Sequence, residues 1–151
     1  MLYIVISILT FTLISFAQSI EVEADRLIYE DSRMIYEGKA VLKKDKGTLK
    51  ADRIIVFMGK EGRAEKIVAK GNAVYKEDGK KAYAKEITHD LSKNVIILKG
   101  QAKVEEGKNY IEAEEIIYYV NTGKAIAKGN GGRVKMFYVE EEKDEEVGHS
   151  Q

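Results

Sequence analysis

Apolar and polar residues alternate with a period of two along most of the chain between residues 20 and 139. The alternating runs are rich in Val, Ile and Tyr, and turn signals such as Asp45-Lys46-Gly47, Asp78-Gly79 and Asn121-Thr122-Gly123 separate them. Asp-Gly and Asn-x-Gly sequences supply the positive-φ positions that hairpin loops need. No stretch of this body sustains a helical period with caps at both ends. The pattern therefore predicts an all-β sandwich or barrel.

A motif of glycine, a polar residue and a small residue recurs along the body. Its four copies are Gly38-Lys39-Ala40, Gly71-Asn72-Ala73, Gly100-Gln101-Ala102 and Gly129-Asn130-Gly131. An alanine follows 13 residues after each of the first three glycines and begins a second strand-like segment. These alanines are Ala51, Ala84 and Ala113, and Ala24 opens the series. One repeat is therefore a glycine-centred strand, a turn and an alanine-started strand.

Counting every second residue around the glycines gives one apolar face with small residues at its centre. The opposite face is mostly Lys, Glu, Asn and Gln, interrupted by Ile35, Val68, Ile97 and Ile126. Stacked repeats would join the apolar faces into a continuous interior. The small residues have two interpretations, which are room for acyl chains or bulges with close strand approach. The large side chains predicted to line the interior and contact lipid are Met34, Tyr36, Leu42, Ile67, Tyr75, Ile96, Leu98 and Val104.

The first 17 residues contain no charged side chain, unlike everything that follows. Ser15 and Ala17 place small residues at the −3 and −1 positions of a cut before Gln18, as signal peptidase requires. Residues 1–17 are therefore predicted to be a secretory signal. An uncleaved single-span anchor is the alternative, because this length lies at the lower limit for crossing a bilayer. Both interpretations predict an exported body.

Charge is distributed unevenly although the whole chain is neutral. Residues 18–139 hold 24 Lys/Arg and 19 Asp/Glu, a net +5, and residues 140–151 hold one Lys and six acids, a net −5. A mildly basic body tolerates anionic partners. The acidic segment 140–151 is predicted to be a disordered tail that restrains uncontrolled strand growth by repulsion.

Catalytic, metal-binding and cofactor-binding motifs are missing from the sequence. There is no cysteine, and no nucleophile, phosphate-loop or paired-histidine spacing occurs. His89 precedes Asp90 near a turn and is expected to be an ordinary surface residue. Acidic residues interleave with the lysines, so no continuous basic stripe for nucleic acid emerges. The sequence predicts a binding protein without cofactor or metal, and no enzyme.

The glycine unit followed by an alanine-started strand, repeated in phase over residues 21–139, resembles the repeat of the LptA/OstA-like family, which LptA, LptC and the N-terminal domain of LptD share. The resemblance implies a twisted antiparallel β-jellyroll whose two sheets open like a book. It further implies a periplasmic protein that holds the lipid A acyl chains of lipopolysaccharide between the sheets. The family pattern supplies no catalytic residues.

The resemblance also implies end-to-end strand pairing into a bridge between LptC-like inner-membrane and LptD-like outer-membrane partners. Residues 20–29 and 133–139 are the first and last strand-like runs, so they are predicted to form head-to-tail joints between copies of the chain. The predicted joint residues are Val22, Leu27, Met136, Phe137 and Val139. Two alternatives remain open at this point: an LptC-like membrane-anchored component, and a structural envelope scaffold that conducts no lipid.

Overall fold

The computed structural model of the chain describes residues 20–140, which form an almost entirely antiparallel β structure. The strands are β1 (Ile20–Glu23), β2 (Arg26–Glu30), β3 (Arg33–Lys44), β4 (Gly47–Met58), β5 (Ala64–Glu77), β6 (Lys80–Asp90), β7 (Val95–Glu106), β8 (Asn109–Tyr119), β9 (Lys124–Lys128) and β10 (Lys135–Phe137), with a 3-10 turn at Lys60–Gly62. No helix within this range is long and apolar enough to cross a membrane. The all-β prediction is confirmed. The predicted signal segment and all of the acidic tail except Glu140 lie outside the described residues.

The six long strands β3 to β8 form a meander in which each strand pairs with the next one in sequence. Both ends of the meander are completed by two short strands. At the N-terminal end β1 and β2 pair with the two halves of β3, and at the C-terminal end β9 and β10 pair with the two halves of β8. Each of these terminal segments is thus one interrupted strand that spans the full width of the sheet.

Three of the four recurring glycines lie at β-bulges, and the fourth, Gly129, follows the end of β9. At Gly71-Asn72 the two residues have φ of 84° and 47°, and the pairing register shifts between Lys70 and Ala73. Two residues of β5 there oppose one residue of β6, Lys85. The same two-against-one arrangement recurs at Gly38 and at Gly100. Bulges bend a strand and increase its local twist. Aligned across the meander, they divide one hydrogen-bonded sheet into two halves that face each other.

We call these halves sheet I, which contains β1 and β10, and sheet II, which contains β2 and β9. Along the corner between them the alanines of the repeat pair directly across adjacent strands and are almost fully buried. The pairs are Ala40–Ala51, Ala73–Ala84 and Ala102–Ala113. This pairing explains the constant 13-residue offset in the sequence. Methyl side chains let the two half-sheets approach at the corner, as the bulge interpretation of the small residues requires. The two-sheet β-jellyroll is confirmed.

The interpretation of the glycines as room for acyl chains is wrong. A Cβ atom at Gly71 would overlap the side chain of Asp52, and one at Gly100 would overlap Lys85. Both of these polar side chains belong to the preceding alanine-started strand. The glycines are therefore needed for their positive φ and for the close approach of a neighbouring strand at the corner. They do not enlarge the interior.

A single core cluster lies between the two half-sheets, with Ile54, Ile96 and Tyr118 among its most deeply buried members. The outer face of sheet II carries a second row, made entirely of β-branched residues that pair directly across the strands. This row is Ile28, Ile35, Ile55, Val68, Thr88, Ile97, Ile117 and Ile126. It accounts for the apolar interruptions that the sequence shows on its wet face.

A row of charged residues lies beside the β-branched row on the same outer face. Its members, in strand order, are Arg26, Glu37, Arg53, Lys70, Glu86, Lys99, Glu115 and Lys128. Opposite charges face each other in every neighbouring pair except Arg53–Lys70, and the Arg26–Glu37 ion pair measures 3.0 Å. Long aliphatic stems of such residues cover neighbouring apolar surface while their charges stay in water, which is consistent with the burial of Ile35 and Ile55.

Replacing Gly71 with alanine should destabilise the protein more than the same change at Gly79. Both glycines have positive φ, but a Cβ at Gly71 meets Asp52 whereas a Cβ at Gly79 meets nothing within 4 Å. We expect Gly79→Ala to lower the free energy of unfolding by about 1 kcal/mol, and Gly71→Ala to lower it by at least about 1 kcal/mol more. Urea unfolding of the two variants measures both losses in the free energy of unfolding. Equal losses would contradict the steric role of the corner glycine.

Candidate lipid-binding site

The interior between the half-sheets contains an apolar cavity of about 50 Å³. Sheet I and sheet II each contribute five side chains to its lining. Those from sheet I are Leu42, Leu49, Tyr75, Ala82 and Val104, and those from sheet II are Ile67, Ile87, His89, Ile96 and Leu98. The cavity lies on the open side of the corner, where no backbone links the two half-sheets.

Six of the eight residues predicted to contact lipid line this cavity. They are Leu42, Ile67, Tyr75, Ile96, Leu98 and Val104. Tyr36 does not line the cavity but packs against the core cluster. Met34 is half-buried, and the Tyr36 hydroxyl lies 3.4 Å from its Sδ atom. The structure brings these side chains to the interior, and their contact with lipid stays a prediction.

Four lining residues lie on alanine-started strands, and counting around the glycines missed them. Leu49, Ala82, Ile87 and His89 belong to β4 and β6. On β6 both Ala84 and Ile87 are core members although they are three residues apart. On these strands the alternation of inward-facing and outward-facing residues therefore shifts by one position at the corner. Counting every second residue separately on the two sides of each strand's alanine would have found Leu49, Ile87 and His89.

His89 is not a surface residue, contrary to the expectation from its position near a turn. Its side chain is only 5% exposed, and its cross-strand neighbours are Ile67 and Ile96. Burial lowers the pKa of His89 from 6.5 to about 4; the negative charge of Asp90 opposes this effect, and the positive charge of Lys44 adds a smaller lowering. The imidazole is therefore neutral at pH 7, as an apolar cavity requires.

Polar groups lie at the outer edge of the cavity on sheet I. Burial raises the pKa of the Tyr75 hydroxyl, with further contributions from Glu77 and Asp45. The Tyr75 ring end fills the space that a side chain at Gly47 would need. Burial also lowers the pKa of Lys44 and raises that of Glu77. These groups form a partly desolvated edge between the apolar interior and water.

The cavity is small compared with an acyl chain. Its volume of about 50 Å³ is well below the roughly 150 Å³ of an engineered cavity that admits benzene. The described arrangement is therefore a closed one. The half-sheets are joined by backbone only along the corner, so separation of their opposite edges is the motion that would enlarge the interior.

The apolar inner surface continues to both ends of the sheet. Leu27 pairs with Tyr36, and Met136 pairs with Ile111, so both lie on the inner face, where they are 56% and 60% exposed. Val22 packs against the core and lies opposite Leu42.

The other two predicted joint residues differ from these. Phe137 lies on the outer face, where its ring stacks on Tyr110 at 5.5 Å. The Val139 backbone N–H donates to Asn109 Oδ1 at 2.8 Å. Both side chains are partly exposed at the C-terminal edge. The structure thus places all five predicted joint residues on the terminal segments, on different faces.

Residues 20–124 match the family model described as LptA/(LptD N-terminal domain) LPS transport protein. The chain belongs to this family. Among solved structures it is similar to LptH of Pseudomonas aeruginosa, described as the LptA homologous periplasmic component of the conserved lipopolysaccharide transport device. The two share 25% sequence identity with a TM-score of 0.69, over 82% of this chain and 96% of LptH. No curated protein matches the chain. The family match thus covers β1 to β8 and ends at the first residue of β9.

Acid should destabilise this LptA-like protein through His89. Between pH 6.5 and about 4 the unfolded state binds a proton that the folded state excludes, so the free energy of unfolding falls as pH falls. The loss approaches about 3 kcal/mol below the folded pKa. His89→Leu should remove this part of the pH dependence in urea unfolding, whereas His149→Leu, at the only other histidine, should retain it. An unchanged slope in His89→Leu would contradict a neutral buried imidazole.

Proposed function

We propose that this LptA-like chain is a periplasmic transport protein that shields the acyl chains of lipopolysaccharide between its two half-sheets. The observation that carries the proposal is the apolar interior, which both half-sheets line and which continues to exposed apolar side chains at both ends. The family to which the chain belongs transports lipopolysaccharide, and LptH is described as periplasmic.

The physical reason for such a carrier is the cost of hydrating lipid chains. Each methylene exposed to water costs about 0.8 kcal/mol, so a lipid with several chains does not cross an aqueous compartment unaided. In this protein the chains would replace the contacts between the half-sheets, whose edges opposite the corner separate. The corner bulges would keep both walls in register while the charged head group stays outside.

Two alternatives from the sequence are less well supported. A scaffold that conducts no lipid would need the interior only as a core, and the lipopolysaccharide-transport family favours a carrier. An LptC-like anchored component depends on residues 1–17, which lie outside the described residues. The similarity to LptH, over nearly its whole length, favours the LptA-like role.

A photo-cross-linking residue at position 75 should capture lipopolysaccharide, and one at position 83 should not. Tyr75 lines the cavity, whereas Tyr83 pairs with Val74 on the opposite face, where its hydroxyl donates to Glu105 Oε1 at 3.1 Å. The two tyrosines lie on adjacent strands, so the pair controls for general surface contact. Gel mobility with lipopolysaccharide immunodetection reads both adducts. Equal adducts at the two positions would contradict an interior path.

We further propose that copies of the chain join head to tail, with the C-terminal edge of one copy pairing with the N-terminal edge of the next. The internal repeat suggests the register of this joint. Lys135 occupies on β10 the position that Lys103 occupies on β7, because both lie opposite Glu112 on β8. Ala24 corresponds to Ala113, so Glu23 corresponds to Glu112. The continued repeat would therefore set Lys135 of one copy beside Glu23 of the next.

The same register sets Lys128 beside Arg26 on the outer face of sheet II. A like-charged pair of this kind already occurs within the chain at Arg53–Lys70. Apolar side chains at the joint would gain cover, since Met136 would lie opposite Val22 on the inner face. LptC-like and LptD-like partners with the same repeat could pair with these two edges in the same way.

Reversing one charge of the proposed joint should weaken self-association, and reversing both should restore it. Lys135→Glu and Glu23→Lys each place like charges together, and exposed charge pairs contribute up to about 1 kcal/mol, which is roughly a fivefold change in the association constant. Light scattering over a concentration series measures the association constant of each variant. A double variant that associates no better than either single variant would contradict the register. Monomeric wild-type protein at high concentration would contradict the joint itself.

A further inference from the structure

Four lysines lie together on the outer face of sheet I, at outward-facing positions of β3 to β6. They are Lys43, Lys50, Lys76 and Lys81, and we call them the lysine patch. Within residues 20–140 none of the four forms an ion pair. The other outward-facing residues of these strands in sheet I are uncharged, and they are Val41, Thr48, Val74 and Tyr83. The patch is therefore a local excess of positive charge.

The cross-strand neighbours of the central lysines do not compensate their charge. Lys76 lies directly opposite Lys81, and like charges directly opposite each other in a sheet are destabilising. Lys50 lies between Val41 and Val74. An anionic group placed over these lysines would offset the repulsion, so the patch favours an anionic partner.

The carboxylates around the patch do not neutralise it. Each end of the patch faces one carboxylate, which is Glu21 at β1 and Glu105 at β7. Glu105 is already engaged, because it accepts a hydrogen bond from the Tyr83 hydroxyl at 3.1 Å and lies 3.4 Å from Lys103 Nζ. The border groups on β1, along the corner and in the turns comprise three of each sign and add no net charge. They are Glu23, Lys39, Lys46, Asp52, Asp78 and Lys85.

The acidic tail begins beside the row of the sheet on which the patch lies. Residues 140–146 contain six acidic residues and one lysine. Phe137, at the start of this segment's approach, belongs to the cross-strand row that continues over β8 and Glu105 to Lys81 and Lys76. At about 4.8 Å per strand, these two lysines lie about 14 and 19 Å from Phe137. A seven-residue segment spans up to about 23 Å, so the acidic residues reach both lysines.

We propose that residues 140–146 fold back over the outer face of sheet I and bind the lysine patch of the same chain. Their carboxylates offset the repulsion between Lys76 and Lys81. The contact is intramolecular, so weak exposed ion pairs are sufficient at the high effective concentration of a tethered segment. A docked tail keeps its charges off the free edge of β10, whereas the sequence alone predicts repulsion at that edge. This inference does not depend on lipid transport.

A spin label on the tail tests the contact in the purified protein. The chain has no cysteine, so Val147→Cys supplies a single labelling site just beyond the acidic residues. We expect the label to broaden the backbone amide NMR signals of Lys76 and Lys81 much more strongly than that of Thr88, which lies on sheet II. Salt at about 1 M, where the Debye length is roughly 3 Å, should abolish the difference.

A matched pair of charge reversals separates the patch from general surface charge. Lys76→Glu should lower the equilibrium constant for tail docking about fivefold, and Lys70→Glu should leave it unchanged. Both lysines are exposed residues of β5, and both face a like charge across the strands. Lys70, however, lies on the outer face of sheet II, opposite Arg53.

Three outcomes would overturn the intramolecular contact. The first is equal broadening at Thr88 and Lys76, or broadening that persists at high salt. The second is broadening in an isotope-enriched, unlabelled copy that is mixed with spin-labelled protein, which would assign the patch to the tail of a second copy. The third is no broadening at the patch while phosphatidylglycerol vesicles sediment the wild type and not Lys76→Glu, which would assign the patch to an anionic lipid surface.

Discussion

The bend at the corner is the constraint on which the rest of this molecule depends. A ten-stranded antiparallel sheet has one apolar face that must be removed from water, and the chain has no second domain in the described range to cover it. The sheet covers itself by folding along a line of bulges. This requires positive φ at successive residues such as Gly71 and Asn72, and it requires methyl side chains such as Ala73 and Ala84 where the walls meet. A larger side chain at the corner would hold the half-sheets apart.

The same bend divides the tasks of the two faces. Inside, the large side chains sit away from the corner, where the half-sheets are not linked and can separate. Outside, the β-branched row of sheet II and the charged row beside it tie neighbouring strands together without using the interior. Arg26 and Arg53 both lie near Glu37 in this arrangement. Strand-to-strand cohesion in sheet II thus has contributions from the outer face that a lipid in the interior would not replace.

Much of this architecture could be predicted from the sequence because the repeat is local. The fixed offset between Gly71 and Ala84 follows from the pairing of Ala73 with Ala84. Period-two counting on the glycine strands found six cavity-lining residues. The same count could not find His89, because the alternation of inward-facing and outward-facing residues shifts by one position after each alanine. It also placed the C-terminal edge at residues 133–139 alone, whereas β9 forms the other half of that edge. Only the pairing of β9 with β8 shows this, because the alternation of the short Lys124–Lys128 run around Ile126 does not say which strand it pairs with.

The repeat makes the length of the interior adjustable. Every glycine strand meets the following alanine strand in one register, with an alanine pair at the corner and a bulge beside it. Gly71 and Gly100 are therefore equivalent positions, and the residues between them form one interchangeable two-strand module. Removing or duplicating such a module would shorten or lengthen the apolar channel by about 10 Å, since neighbouring strands lie about 4.8 Å apart. The terminal edges would be untouched, so a lineage could change the span of each subunit without redesigning its connections.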